Sequence, residues 1–314
     1  MLTEQQLAHF RTFGFVILKD LFTQEEVETL NAEFDHAGER ASSYDPFDGS
    51  KRHIFNFRGE DGPLFVSLTE DPRFATTAEQ LFGEDVFAAG CSGGIRFVNK
   101  GTKWHPDTVH KGQYGVKFGF YLQPLRADSG ALRVIPGSHL DPLHSDLRDV
   151  RAKQKLGGSH PVGQALGGVE NVLSYPCETN PADVVAFDLR LWHASWGGFE
   201  DRKMCQVVYY HTPENAEEME ATRWQLVMNA DQDYGIAPWN DPDRFPGGWH
   251  SNPEGNPKRA RWLNQMREIR EAKTGLRAEM TGMDSTLVPD SAQATYASEQ
   301  IAEAVEKVPI YREA

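Results

Sequence analysis

Trp104-His105-Pro106-Asp107 sets an imidazole and a carboxylate two positions apart at the end of an apolar, strand-like run. Residues i and i+2 of a strand face the same side, so both groups can reach one metal ion. An imidazole and a carboxylate are two of the three protein ligands of a two-histidine, one-carboxylate Fe(II) site, whose other positions stay open for chemistry. A second histidine is needed. The same spacing recurs at His139-Leu140-Asp141 and His144-Ser145-Asp146. Both of these follow Pro136-Gly137 in a polar, proline-containing stretch that reads as loop, where no strand holds the pair on one face. Taken alone the signal is weak, and the alternative is a surface histidine beside a turn aspartate.

The candidate third ligand is His193, at the end of the apolar run that begins at Val184. In a jelly roll the first and last strands lie close across the barrel, which suits it. Trp196–Asp201 contains Gly197-Gly198 and reads as a hairpin connection, so the chain is expected to return antiparallel from Arg202 through Met204, Gln206 and Val208. A hairpin centred near Gly198 sets Ser195 opposite Arg202, and alternation puts His193 and Ser195 on one face. A guanidinium beside a hydroxyl is a natural partner for a carboxylate. A dicarboxylate chelating a metal at one end could be anchored at the other by Arg202 and Ser195.

Several kinds of element must carry these residues. Thr3-Glu4-Gln5-Gln6 and Thr23-Gln24-Glu25-Glu26 fit the capping box, and Gly14–Leu18 between them is β-rich, so the chain is expected to open helix, strand, helix. Asp71-Pro72 opens a further helix with a stripe of Phe74, Ala78, Leu81 and Phe82, which Gly83 stops. From Val86 the period is that of strands, at Gly94–Val98, Gly115–Leu122, Ala131–Ile135, Asp183–Trp192 and Met204–His211. Short strands without intervening helices predict a mainly β fold with flanking helices, its antiparallel sheets closing on themselves as a sandwich or as a jelly roll, the cupin-like double-stranded β-helix.

We read residues 1–314 as one domain: helical support over 1–85, a jelly-roll core over 86–212 and a C-terminal cover over 213–314. A long insertion at 140–180 reads as a mobile loop over the barrel mouth or as a solvated excursion. The last third contains turn-rich Pro238–Pro257, a helix opened by Asn256-Pro257 and a helical run over Ala292–Val308. It supplies no ligand cluster of its own and reads as a cover or as a contact for a homo-oligomer.

A formal net charge of −14 disfavours nucleic-acid phosphate as a partner. No apolar run reaches membrane-spanning length, and the first residues lack the pattern of a signal peptide. Cys91, Cys177 and Cys205 form an odd, widely spaced set that suggests neither a disulfide framework nor a zinc ribbon, as expected of a reducing cytoplasm.

Taken in order, Trp104–Asp107, Gly130-Ala131-Leu132-Arg133-Val134-Ile135-Pro136-Gly137-Ser138-His139, His193-Ala194-Ser195 and Arg202 resemble the phytanoyl-CoA dioxygenase family of Fe(II)- and 2-oxoglutarate-dependent oxygenases. The resemblance covers about two-thirds of the chain, and the ordered set is far more specific than any one motif. It implies that His105, Asp107 and His193 bind Fe(II) and that Ser195 and Arg202 hold the distal carboxylate of 2-oxoglutarate. It also implies an O2-dependent hydroxylase of a small molecule that releases succinate and CO2.

Arg96 stands where family members often place a cosubstrate-contacting side chain, and a rim salt bridge is its alternative. The same-fold alternatives are a desaturase or cyclase, a halogenase, or a silent binding protein. Halogenases leave the carboxylate position empty for chloride, and Asp107 fills it. Arg133–His139 reads as structural, with His139 a satisfied turn histidine. Lys117, Gly119 and Tyr121 share a strand face and line either the cavity or the other side of the sheet. His110 and Lys111 could meet an anionic substrate or lie on a solvated loop, and Trp104, Trp192 and Trp196 pack either substrate or core.

Overall fold

Two capping boxes start the chain. Thr3 Oγ1 accepts the Gln6 N–H and the Gln6 side chain accepts the Thr3 N–H, opening α1 (Glu4–Phe13); Thr23 and Glu26 repeat the exchange at α2 (Gln24–Ser42). The structure, a computed structural model, describes residues 1–43, 46–48, 53–57, 59–88, 93–97, 101–108, 111–148, 173–195, 201–230, 249, 252 and 254–272. Between the two helices runs β1 (Phe15–Leu18), and after them come β2 (His53–Asn56), α3 (Pro63–Leu68) and α4 (Pro72–Phe82). Asp71 caps α4 by accepting the Arg73 N–H at 2.8 Å.

α1 stops at Gly14, whose φ is +82°. A Cβ there would stand 2.6 Å from Nδ1 of His139 and 2.7 Å from Cδ1 of Leu191. Gly14→Ala is therefore expected to lower stability by about 2–4 kcal/mol, combining a left-handed backbone penalty with overpacking. A reduced urea midpoint at unchanged slope would register it.

The strands that follow are β3 (Phe87–Ala88), β4 (Gly93–Phe97), β5 (Thr102–His105), β6 (Gly115–Tyr121), β7 (Leu132–Val134), β8 (Tyr175–Cys177), β9 (Val184–Asp188), β10 (His193–Ser195) and β11 (Arg202–Tyr210). All pairings are antiparallel. One sheet runs β1-β9-β6-β11-β4-β2, with β3 also on β11, and the other β5-β10-β7-β8. Two antiparallel sheets arranged in this way make the expected jelly roll.

Alternation on β6 divides the core. Val116, Phe118 and Phe120 face the helices and pack with Phe22, Phe65 and Phe74. Tyr121 turns inward to Val185, Phe187, Leu191 and Met204, between the sheets. Each fully buried phenylalanine contributes roughly 1.5–3 kcal/mol, so the helix side is a large reserve of stability behind the barrel.

Three expectations are corrected. The run expected over Asp183–Trp192 ends as a strand at Asp188, because that side chain accepts the N–H of Arg190 (2.8 Å) and its carbonyl accepts the N–H of Leu191 (2.9 Å). This Asx-type turn swings the chain from one sheet into the other. The expected hairpin between Ser195 and Arg202 is not a sheet hairpin, since β10 pairs with β5 and β7 while β11 pairs with β3, β4 and β6. The first 85 residues are also more than helical support, because β1 and β2 close the two edges of the larger sheet.

Past β11 stand α5 (Ala216–Ala230) and α6 (Pro257–Glu271). Asn256 caps α6, and Trp262, Met266 and Ile269 join the helix-side core, with Trp262 Nε1 donating to the Val86 carbonyl at 3.1 Å. α6 thus extends the helix-side core behind the larger sheet. The run Ala292–Val308 and most of the 140–180 insertion, residues 149–172, lie outside the described residues; the end of the insertion forms β8. Among the described residues no helix is long and apolar enough to cross a membrane.

Candidate metal centre and carboxylate anchor

β5 and β10 are neighbours in the smaller sheet, and their register sets His193 directly opposite His105. The imidazole centroids are 4.3 Å apart. Asp107 lies just past β5, and its N–H donates to the Leu189 carbonyl at 2.8 Å, tying the turn that carries the carboxylate to the turn that precedes His193. Asp107 Oδ1 stands 3.9 Å from His105 Nε2 and 3.6 Å from His193 Nε2. One ligand atom from each of the three residues falls within 4.8 Å of the others.

The backbone sets the histidine tautomers. His105 Nδ1 lies 2.7 Å from the Lys103 carbonyl and His193 Nδ1 2.9 Å from the Leu191 carbonyl. A carbonyl only accepts, so each Nδ1 carries the hydrogen and each Nε2 turns a lone pair towards Asp107. Burial lowers the pKa of His193 against the pull of Asp107, which favours this neutral form. Burial alone would raise the pKa of Asp107, but the positive charge facing it, the Lys117 ammonium first, outweighs burial and holds it below the usual carboxylate range. Two lone pairs and a carboxylate oxygen converging with no hydrogen between them repel one another unless a cation joins them. The donor set therefore fits a divalent metal.

The second feature joins the two sheets. Arg202 is 1% exposed, donates through Nη1 to the Gly130 carbonyl and through Nη2 to Ser195 Oγ at 3.1 Å. Ser195 Oγ also accepts the Thr102 N–H (3.2 Å) and lies 3.1 Å from Thr102 Oγ1. Arginine and serine meet as expected, although they do so between sheets rather than across a hairpin. Thr102 was not anticipated; its place opposite Ser195 follows only from the β5–β10 register and the irregularity between His193 and Ser195.

The Pro136–His139 stretch clamps the turn before His193. Ser138 Oγ accepts the Trp192 N–H at 2.9 Å, and Ile135 N–H donates to the Trp192 carbonyl at 2.9 Å. His144 Nδ1 lies 3.1 Å from the carbonyls of both Ser138 and Arg190. Ser138→Ala leaves a buried N–H without its acceptor and is expected to cost about 1–3 kcal/mol, measurable as a lower midpoint in urea. His139 sits with Nε2 3.2 Å from the Arg11 carbonyl, against Gly14 and away from the triad.

Arg96 is not brought to this site. On β4 the inward residue is Ile95, and Arg96 points to the helix side, where it pairs with Asp35 and Asp201 at 2.8 Å each and lies over the Phe34 ring. Strand parity is the reason, and the rim ion pair is the alternative that holds. Lys117 behaves oppositely: its Nζ donates to Asp107 Oδ2 at 3.1 Å. The Lys111 ammonium lies 3.6 Å from Asp141, while His110 and Trp196 fall outside the described residues. Trp192 is buried beside His144, and Trp104 is half-buried.

The family model of phytanoyl-CoA dioxygenase (PhyH) matches residues 10–197. Ectoine dioxygenase of Bordetella bronchiseptica is 25% identical over 221 residues, 62% of this chain and 70% of its own length. The ectoine dioxygenase of Sphingopyxis alaskensis is 25% identical over 218 residues, with 62% and 71% covered. Among solved structures, HygX from Streptomyces hygroscopicus, crystallised with nickel and 2-oxoglutarate bound, aligns with a TM-score of 0.51 at 19% identity, over 69% of this chain and 90% of its own. At that identity the likeness speaks for the fold.

Proposed function

The chain belongs to the phytanoyl-CoA dioxygenase family, a family of iron- and 2-oxoglutarate-dependent oxygenases, and on that premise we propose that it hydroxylates an unactivated C–H bond of a small molecule. The observation that carries the reading is the convergence of His105 Nε2, His193 Nε2 and Asp107 Oδ1, with both imidazoles fixed through Nδ1. In this reading His105, Asp107 and His193 hold Fe(II), while Arg202 and Ser195 hold the distal carboxylate of 2-oxoglutarate. Iron held there would, with 2-oxoglutarate and O2, supply the oxidising equivalent for removing substrate hydrogen, the cosubstrate being converted to succinate and CO2.

The chain's own task is placement. Three protein ligands leave positions free for cosubstrate and O2. The Arg202 guanidinium, fixed by Gly130 and Ser195, needs little reorganisation to receive a carboxylate. The inner core of Phe187, Leu191 and Met204 keeps water from the side of the site that faces it. Asp107 fills the carboxylate position and so favours oxygen transfer over halogenation.

The likeness to ectoine dioxygenases supports a small-molecule substrate, and selectivity of this kind is generally carried by loops around a rigid scaffold. A panel of amino acids, compact zwitterions, phosphonates, acyl-CoA thioesters and natural products, screened for substrate-stimulated succinate formation, tests the reading. Stimulation by one class together with a hydroxylated product is the expected result. Stimulation with a desaturated, cyclised or epimerised product would replace hydroxylation by that outcome.

A further inference from the structure

The two oxygens of Asp107 have different neighbours. Oδ1 faces the Nε2 atoms of both histidines, whereas Oδ2 lies 3.1 Å from Lys117 Nζ. The sheet register sets Lys117 between Phe187 of β9 and Val208 of β11. Its neighbours Val116 and Phe118 enter the helix-side core, so strand parity sends Lys117 into the barrel. The side chain is 12% exposed, and Nζ lies 5.9 Å from the Phe187 ring centroid. A lysine this enclosed is rarely found without a partner, and parting a buried ion pair is costly, so the ammonium is held on Oδ2.

We propose that Lys117 is a positioning residue of the metal site: by occupying Oδ2 it leaves Asp107 one donor oxygen, so that the carboxylate holds metal through Oδ1 alone. The coordination position that a second oxygen would take then stays open for cosubstrate or O2. This rests on the reading of His105, Asp107 and His193 as the ligands. It also assigns the inward face of β6 a role in the chemistry as well as in packing.

The test uses the full chain loaded with Co(II), whose ligand-field absorption reports coordination. Affinity is a poor reading, since removing an ammonium also removes its repulsion of the cation. Lys117→Met is expected to change the position and intensity of the visible bands, and Lys117→Arg, which keeps a donor for Oδ2, to restore them. A Lys117→Met spectrum superimposable on the wild type overturns the proposal. Should Lys117→Met not fold, Lys117→Leu, which likewise offers Oδ2 no donor, is examined with the same two outcomes. His193→Ala, measured in parallel, separates the two readings: if it binds Co(II) as the wild type does, the ligand assignment itself has failed. If it loses Co(II) while Lys117→Met is unchanged, only the role of Lys117 falls.

Discussion

His193→Ala is expected to lower Fe(II) affinity at least ~100-fold, beyond the 10–100-fold typical of losing a partner one shell further out. His193 is buried at the centre of the smaller sheet, opposite His105 on one side and Val134 on the other. Those pairings run through the backbone, which alanine keeps. The fold should therefore survive, with a stability loss of about 1–3 kcal/mol, ordinary for a buried substitution. Metal content after anaerobic loading with Fe(II) and desalting is the measurement, with circular dichroism as the check on folding. A variant that folds and retains a full equivalent of iron would remove His193 from the site.

Arg202→Ala is expected to raise the concentration of 2-oxoglutarate needed for half-saturation by about 100-fold, within the 2–5 kcal/mol lost when one member of a buried charge pair is truncated. Fe(II) affinity should change far less. The reason is positional: Arg202 belongs to β11 in the larger sheet, whereas both histidines lie in the smaller one, and Ser195 Oγ joins the two sides. Titration of 2-oxoglutarate into the metal-loaded variant reads the first effect, and metal content reads the second. Equal cosubstrate affinity in variant and wild type would refute the anchor.

What could be read from the sequence was either local or a matter of strand parity. The caps at Thr3, Thr23, Asp71 and Asn256 are satisfied within a few residues of themselves, so the chain order alone announces them. His105 and Asp107 are likewise close in sequence. The approach of His193 to His105 is non-local, and it was legible through the ordered resemblance rather than through spacing.

The errors have physical causes. Asp188 breaks an apolar run by bonding its own following backbone, a turn that hydrophobic periodicity does not register. Ser195 and Arg202 are near neighbours by the route of two facing sheets, and a two-glycine connection reads the same whether it stays in one sheet or crosses to another. Arg96 and Lys117 show the limit of alternation: it says which residues share a face, while burial of Ile95 and Tyr121 decides which face looks inward. α5 was not anticipated because its opening is rich in glutamate.

The measurement closest to the central claim is succinate formed from 2-oxoglutarate by the purified protein, compared with and without Fe(II), with and without O2, and in His193→Ala. The account predicts succinate that requires both iron and O2, rises with a suitable small molecule and disappears in His193→Ala. Succinate formed equally without iron, or undiminished in a folded His193→Ala variant, would contradict it.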